Sequence, residues 1–258
     1  MVSMQEVLAS YEWLSGHLDD EDLVILDTRP KTAYLYGHIP NSVHLSVDQL
    51  IQISEHGAHL APDEKAAAYL LGSIGINNEK TVIVAGDAMD PSAARIAWTL
   101  QYLGHSRTRL LDVSVATWQS MGQKMSRIQT TPKSSQFIPQ IMRHLRVEAE
   151  ELQGLLGKVV VLDARSPQEF FAGHIPSATL VPFTDGVGQM GRSFQSREYL
   201  QAMFEEKEIT KDSEVICYCM HGHRASSLFY QLQIAGFDNV RLYDGSFIDW
   251  YSRRFRLE

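Results

Sequence analysis

The sequence predicts two α/β domains in tandem, each a parallel sheet flanked by helices. Three observations carry that expectation. The chain repeats itself, each copy contains short β-branched runs, and helical patterns alternate with those runs.

The repeat comes first because it divides the chain. Residues 23–42 read LVILDTRPKTAYLYGHIPNS, and residues 159–178 read VVVLDARSPQEFFAGHIPSA. At a constant offset of 136, Leu26, Asp27, Arg29, Gly37, His38, Ile39 and Pro40 recur as Leu162, Asp163, Arg165, Gly173, His174, Ile175 and Pro176. A second block repeats at an offset of 132, where Ala93, Gly104, Asp112 and Trp118 meet Ala225, Gly236, Asp244 and Trp250. Two offsets differing by four mark a duplicated unit with a small change of length between its blocks.

Within each copy, Leu23–Leu26, Thr81–Ala85, Val159–Leu162 and Glu214–Tyr218 are short apolar runs rich in Val and Ile. Such runs belong to strands buried on both faces. After the last of them, ASSLFYQLQIAG places Leu228, Leu232 and Ala235 at helical spacing, with a start near Ala225 and Gly236 as the stop. Between the halves, residues 119–139 are polar and include two prolines, the composition of a surface linker with its boundary near Phe137. The domains are therefore drawn as residues 1–120 and 139–258, joined by residues 121–138.

Composition limits the function. With 44% apolar residues in a chain of 258, each half can bury a core. No apolar run approaches the roughly 18 residues of a membrane span. The segment MVSMQEVLASYEWLSGHL lacks a basic region followed by an apolar block, so no secretory signal is expected. A net charge of −8 argues against a nucleic-acid partner. The cysteines are Cys217 and Cys219 alone, which is no disulfide framework and fits a reducing cytoplasm.

The chemistry centres on VICYCMHGHRASSLFYQL. A buried strand ends at Tyr218, and the loop Cys219, Met220, His221, Gly222, His223, Arg224 leads into a helix. A thiol at that place faces backbone N–H groups that the helix does not use, and the positive end of the helix dipole favours its thiolate. Gly222 lets the loop curl so that successive N–H groups point inward as an anion nest. Arg224, with His221 or His223 when protonated, adds positive charge, so the loop would attract an anionic reactant.

The segment YCMHGHRASSLFYQLQIAGFDNVRLYDGSFIDW resembles the active-site region of the rhodanese family, and the D-x-R…GHIP blocks resemble its other hallmark. The likeness extends over nearly the whole chain, in two copies. It implies a tandem rhodanese-type sulfurtransferase with a persulfide on Cys219, supplied by thiosulfate or 3-mercaptopyruvate and drained by cyanide or a thiol in ping-pong order. A thioredoxin-like or sulfur-carrier protein is a further acceptor in that picture, and no cofactor or metal is required. The substrate-binding set carried over is Met220, His221, Gly222, His223, Arg224 and Arg165. Two features depart from the tandem animal enzymes: the loop is Met-His-Gly-His-Arg, and Glu169 stands where they place a substrate-binding arginine. Asp87 falls at the cysteine position of the first half, which is expected to be catalytically silent.

Plainer roles suit several neighbours. Cys217 lies on the strand as core filler. Cys217, Cys219, His221 and His223 alternate in sequence, and ligands at every second residue cannot wrap tetrahedrally around one zinc ion without a second segment. His38 and His174 occur in both halves and suit a turn, while Asp27 and Asp163 suit bracing of local backbone. Arg29, at the place of Arg165 in the silent half, favours a structural ion pair there. Two rival functions stay open: a cysteine phosphatase of related fold, whose loop would be one residue longer, and a sulfur-relay or sensing protein that serves only a protein partner.

Overall fold

The computed structural model describes residues 7–258. Residues 1–6, where the segment weighed as a secretory signal and the first domain both begin, lie outside the described residues. The first half runs β1 (Leu8–Ala9), α1 (Tyr11–Gly16), β2 (Leu23–Asp27), α2 (Lys31–Tyr36), β3 (Ser42–His44), β4 (Gln52–Ile53), β5 (His59–Leu60), α3 (Glu64–Ser73), β6 (Thr81–Ala85), α4 (Ser92–Tyr102), β7 (Thr108–Leu111) and α5 (Val115–Ser120). The second runs β8 (Arg146–Val147), α6 (Ala149–Leu155), β9 (Val160–Asp163), α7 (Pro167–Phe171), β10 (Ala178–Leu180), α8 (Arg197–Glu205), β11 (Val215–Tyr218), α9 (His223–Ala235), β12 (Val240–Tyr243) and α10 (Ser246–Ser252).

The two five-stranded sheets are parallel throughout and match strand for strand, β1-β7-β6-β2-β3 in one and β8-β12-β11-β9-β10 in the other. The central strands β6 and β11 are the continuous apolar runs of the sequence, because helices cover both their faces. Helices α4 and α9 pack on each other, and one apolar cluster runs from Leu26 and Trp98 of the first half to Leu228 and Phe229 of the second. The halves therefore share a core.

The repeated D-x-R…GHIP block is a structural clasp. Arg29 binds Asp27 through Nε and Nη2 and donates from Nη2 to the Gly37 carbonyl at 2.8 Å. Arg165 repeats this with Asp163 and the Gly173 carbonyl, also at 2.8 Å. His38 stacks on Tyr34 and His174 on Phe170, with ring centroids 4.0 and 3.8 Å apart. Each histidine also places Nδ1 against the carbonyl four residues back. The block ties the end of the second strand to the turn before the third, which is why both halves keep it.

Two details differ from the sequence expectation. Helix α9 begins at His223 rather than near Ala225, because Gly222 takes a left-handed conformation (φ 85°) and completes the turn at once. The linker is also tied down. Ser126 forms a bridge with His38, Ser135 donates to the Gly72 carbonyl, and Phe137 is 3% exposed. Gln140 and Met142, past the drawn boundary, still donate to carbonyls at the end of α4.

The antiparallel ribbon β4–β5 has no counterpart among the described residues of the second half. It reaches across to the other domain. Ser252 Oγ, at the end of α10, donates to the His56 carbonyl, and the Ala61 N–H, just past β5, donates to Asp244 Oδ2 at 2.8 Å.

Candidate active site

Strand β11 delivers Cys219 to the face where the domains meet. The backbone there is clamped on both sides: the Cys219 N–H donates to Ser246 Oγ at 3.3 Å, and the Phe247 N–H donates to the Cys219 carbonyl at 2.9 Å. The Gly222 N–H donates to Cys219 Sγ at 3.1 Å, so the curled loop does aim a backbone donor at the sulfur. Helix α9, 13 residues long, starts at the next residue and adds the positive end of its dipole. Cys219 itself is 1% exposed.

The first domain closes the loop from behind and above. Arg95 of α4 reaches under it, and a Cβ at Gly222 would lie 2.7 Å from Arg95 Nη1, so only glycine fits. Arg95 Nη1 pairs with Asp244 Oδ1 at 2.6 Å, both side chains fully buried, and Nη2 donates to the His59 carbonyl at 2.8 Å. From the ribbon, the His59 ring stacks on His221 with centroids 4.5 Å apart, and its Nδ1 lies 3.3 Å from His223 Nε2. Neither Arg95 nor His59 stood out in the sequence. Arg95 is an unremarked helix residue, and the ribbon belongs to no repeat.

The predicted site residues divide into groups. Gly222 touches the sulfur. Arg224, in the first turn of α9, forms a two-pronged pair with Glu169 of α7, Nη1 to Oε2 at 2.6 Å and Nη2 to Oε1 at 2.7 Å. The Arg224 hydrogen bonds hold the Glu169 carboxyl at about 2, far below the usual carboxylate range. Arg224 is raised in turn, by its hydrogen bonds to Glu169 first and also by the charge of the Cys219 sulfur. Glu169 is thus the partner of the loop arginine. Met220 offers its carbonyl to the Ile248 N–H at 3.3 Å and is half-buried.

The histidines are half-buried, Arg165 is buried, and all three are engaged. Burial pushes His221 down, and burial with the nearby Arg95 and His59 pushes His223 down to about 3. Both are neutral imidazoles near neutral pH and add no charge to the loop. Arg165, carried over as a substrate contact, is 1% exposed. Its Nε and Nη2 serve Asp163 and Gly173, and its guanidinium lies 3.9 Å over the Phe247 ring. Its guanidinium is engaged in the clasp. Cys217 is fully buried on β11, and burial drives its thiol upward, away from the thiolate.

The cysteine position of the first half also needs correction. The Thr28 N–H donates to the Ala85 carbonyl as Ala164 does to Tyr218, and Val115 donates to Gly86 as Phe247 does to Cys219. Strand register therefore sets Gly86, not Asp87, opposite Cys219. Offset 132 holds along the helix but becomes 133 at the strand end, because the first-half loop is one residue longer. A Cβ at Gly86 would lie 2.6 Å from Thr28 Oγ1, so the hydroxyl fills the space that Ala164 leaves open in the other half. The remaining cavity, lined by Gly86, Asp87, Pro91 and Ser227 among others, holds about 20 Å³, room for one water.

Among the described residues no group of three or more His, Cys, Asp and Glu is placed to hold a metal ion, and no helix is long and apolar enough to cross a membrane.

Comparison with known proteins bears on this site. The chain is 28% identical over 268 residues to a thiosulfate sulfurtransferase of Corynebacterium glutamicum, covering 95% of this chain and 87% of that one. It is 29% identical over 270 residues to the sulfur carrier protein TtuD of Thermus thermophilus, covering 95% and 93%. The crystal structure of the 3-mercaptopyruvate sulfurtransferase SseA from Escherichia coli superposes with a TM-score of 0.85 at 25% identity, over 93% of this chain and 98% of that one. The model of the rhodanese-like domain matches twice, at residues 10–121 and 148–253. With both halves matched and two parallel sheets of identical strand order, this chain belongs to the rhodanese-like family as a tandem of two domains.

Proposed function

We propose that this chain is a sulfurtransferase that carries a sulfane sulfur on Cys219, from a small anionic donor to a thiophilic acceptor. The observation that carries the reading is the Gly222 N–H aimed at Cys219 Sγ at 3.1 Å, at the start of a long helix and beside Arg224. That surrounding stabilises negative charge on sulfur both before and after loading.

The reaction runs in two displacements. With thiosulfate, the Cys219 thiolate attacks the outer sulfur; an Sγ–S bond forms, the S–S bond breaks, and the electron pair leaves on sulfite. With 3-mercaptopyruvate the C–S bond breaks, and the donor's thiol proton passes to the departing carbon to give pyruvate. In the second half-reaction cyanide or a thiol attacks the outer sulfur and returns the Cys219 thiolate. The donor classes are those in the names of the relatives, and the name of the Thermus relative, a sulfur carrier protein, supports the carrier role for Cys219.

Each residue then has a part. Gly222 and the N-terminus of α9 hold the anion, Arg224 flanks it, and the clasp of Asp163 and Arg165 fixes the strand ends that present the loop. Cys217 packs the core, and the first half is silent because Gly86 and Asp87 offer no sulfur. Intact mass spectrometry after incubation with thiosulfate or 3-mercaptopyruvate tests the reading. One added sulfur atom is expected on the wild type and none on Cys219→Ser; equal loading of both proteins would place the carrier elsewhere.

A further inference from the structure

We propose that Glu169 sets the donor preference of the Cys219 site: by occupying both terminal nitrogens of Arg224 it withholds that guanidinium from an oxyanion headgroup, and so selects the hydropersulfide of an organic thiol over thiosulfate. The proposal rests on the reading of Cys219 as the sulfur carrier.

Charge is cancelled throughout the walls of this site. Three guanidinium groups stand there, and each already faces a carboxylate: Arg95 with Asp244 at 2.6 Å, Arg165 with Asp163 at 2.7 Å, and Arg224 with Glu169 at 2.6 Å. The planar fork of a guanidinium grips an oxyanion through two parallel N–H bonds. In Arg224 one N–H of each of those two nitrogens is taken, Nη1 by Glu169 Oε2 and Nη2 by Oε1. The roof is His59, His221 and His223, packed ring against ring and held neutral by burial. What remains is the Gly222 N–H and the end of α9, enough for one anionic sulfur.

A thiosulfate dianion must leave its water in such a site and finds no free cation for its sulfonate, while the Glu169 carboxylate repels it. A hydropersulfide brings no such group. The Cys219 thiolate attacks the outer sulfur of R–S–SH; the Sγ–S bond forms as the donor S–S bond breaks, the electron pair leaves on the thiolate RS⁻, and the proton stays on the outer sulfur. Charge and atoms balance without a further reactant.

Glu169→Gln is the informative variant. Glutamine still accepts from the Ser166 N–H and keeps the capping box of α7, yet it removes the charge that occupies Arg224. Loading of Cys219 is followed by intact mass and by kcat/KM with two donors, thiosulfate and the hydropersulfide of 2-mercaptoethanol. The wild type is expected to prefer the hydropersulfide. In Glu169→Gln the ratio of thiosulfate to hydropersulfide kcat/KM should rise about tenfold or more, as one charge-assisted contact is gained. The gain should come chiefly through KM and fade with added salt. Glu169→Asp, which keeps the negative charge, should show no such rise, and a ratio that rose equally there would overturn the charge argument. A wild type that prefers thiosulfate, or a ratio unchanged in Glu169→Gln, would sink the proposal and leave Cys219 as the carrier. Loading of the wild type by neither donor would strike the carrier reading itself.

Discussion

Replacing Asp244 by alanine tests how the two domains hold each other around the loop. Asp244 lies at the end of β12, fully buried, with Oδ1 on Arg95 and Oδ2 accepting from the Ala61 N–H. Asp244→Ala leaves the Arg95 guanidinium buried with no counter-charge, an arrangement that costs about 3–5 kcal/mol. Arg146, 3.6 Å from Asp244 on its other side, keeps Glu148 at 2.9 Å and adds little to that cost. In the double variant Arg95→Met with Asp244→Leu both charges go. The Ala61 N–H loses its partner in both variants, and the double variant adds the loss of the donor to the His59 carbonyl, about 1–3 kcal/mol more. The double variant is therefore expected to be the more stable of the two by about 2 kcal/mol. Urea unfolding followed by circular dichroism reads the difference. With a slope of about 2 kcal/mol per molar, the midpoint of the single variant should lie about 1 M below that of the double. A double variant no more stable than Asp244→Ala would refute the reasoning, because the penalty would then arise from lost packing rather than from a stranded charge.

Further outcomes are expected from the same geometry. Cys217→Ala should cost about 1–2 kcal/mol of stability through a small core cavity yet still load one sulfur, whereas Cys219→Ala should load none; intact mass and unfolding curves separate the two. Lowering the pH should destabilise the fold by two routes. Glu169, with an ordinary value of 4.5 and about 2 in the fold, stabilises above pH 4.5 and loses that contribution as pH falls towards 2. His223, ordinarily near 6.5 and about 3 in the fold, takes up a proton more readily when unfolded, so stability falls between pH 6.5 and 3. His223→Gln should flatten the upper part of the acid unfolding curve and Glu169→Gln the lower part; curves that overlay the wild type would refute the assignments. Asp87→Ala should leave turnover within about twofold, since a surface change in a loop without sulfur touches no step; a large loss would mean that the first half takes part in the chemistry.

The sequence by itself determined the duplication, the parallel sheets and the cysteine loop between strand and helix. Those features are local: a buried strand shows as an apolar run of four or five residues, and a strand–glycine loop–helix junction shows as YCMHGHRA. The clasp was legible too, because Asp and Arg two residues apart beside GHIP recur intact in a half with no cysteine, which marked them as framework. Tertiary structure decided the rest. Glu169 and Arg224 are 55 residues apart in sequence, and Arg95 and His59 come from the other domain altogether. No periodicity records such pairs, since a contact between distant segments depends on how the elements pack. The same packing set the charge of the loop. His221 and His223 look like cations in the sequence but are kept neutral by burial under the ribbon, and Arg224 looks free but is held by Glu169. It also set the register at the matching loop of the first half, where one extra residue puts Gly86, not Asp87, opposite Cys219. Hydrogen bonds between neighbouring strands fix that register, and loop length between them does not.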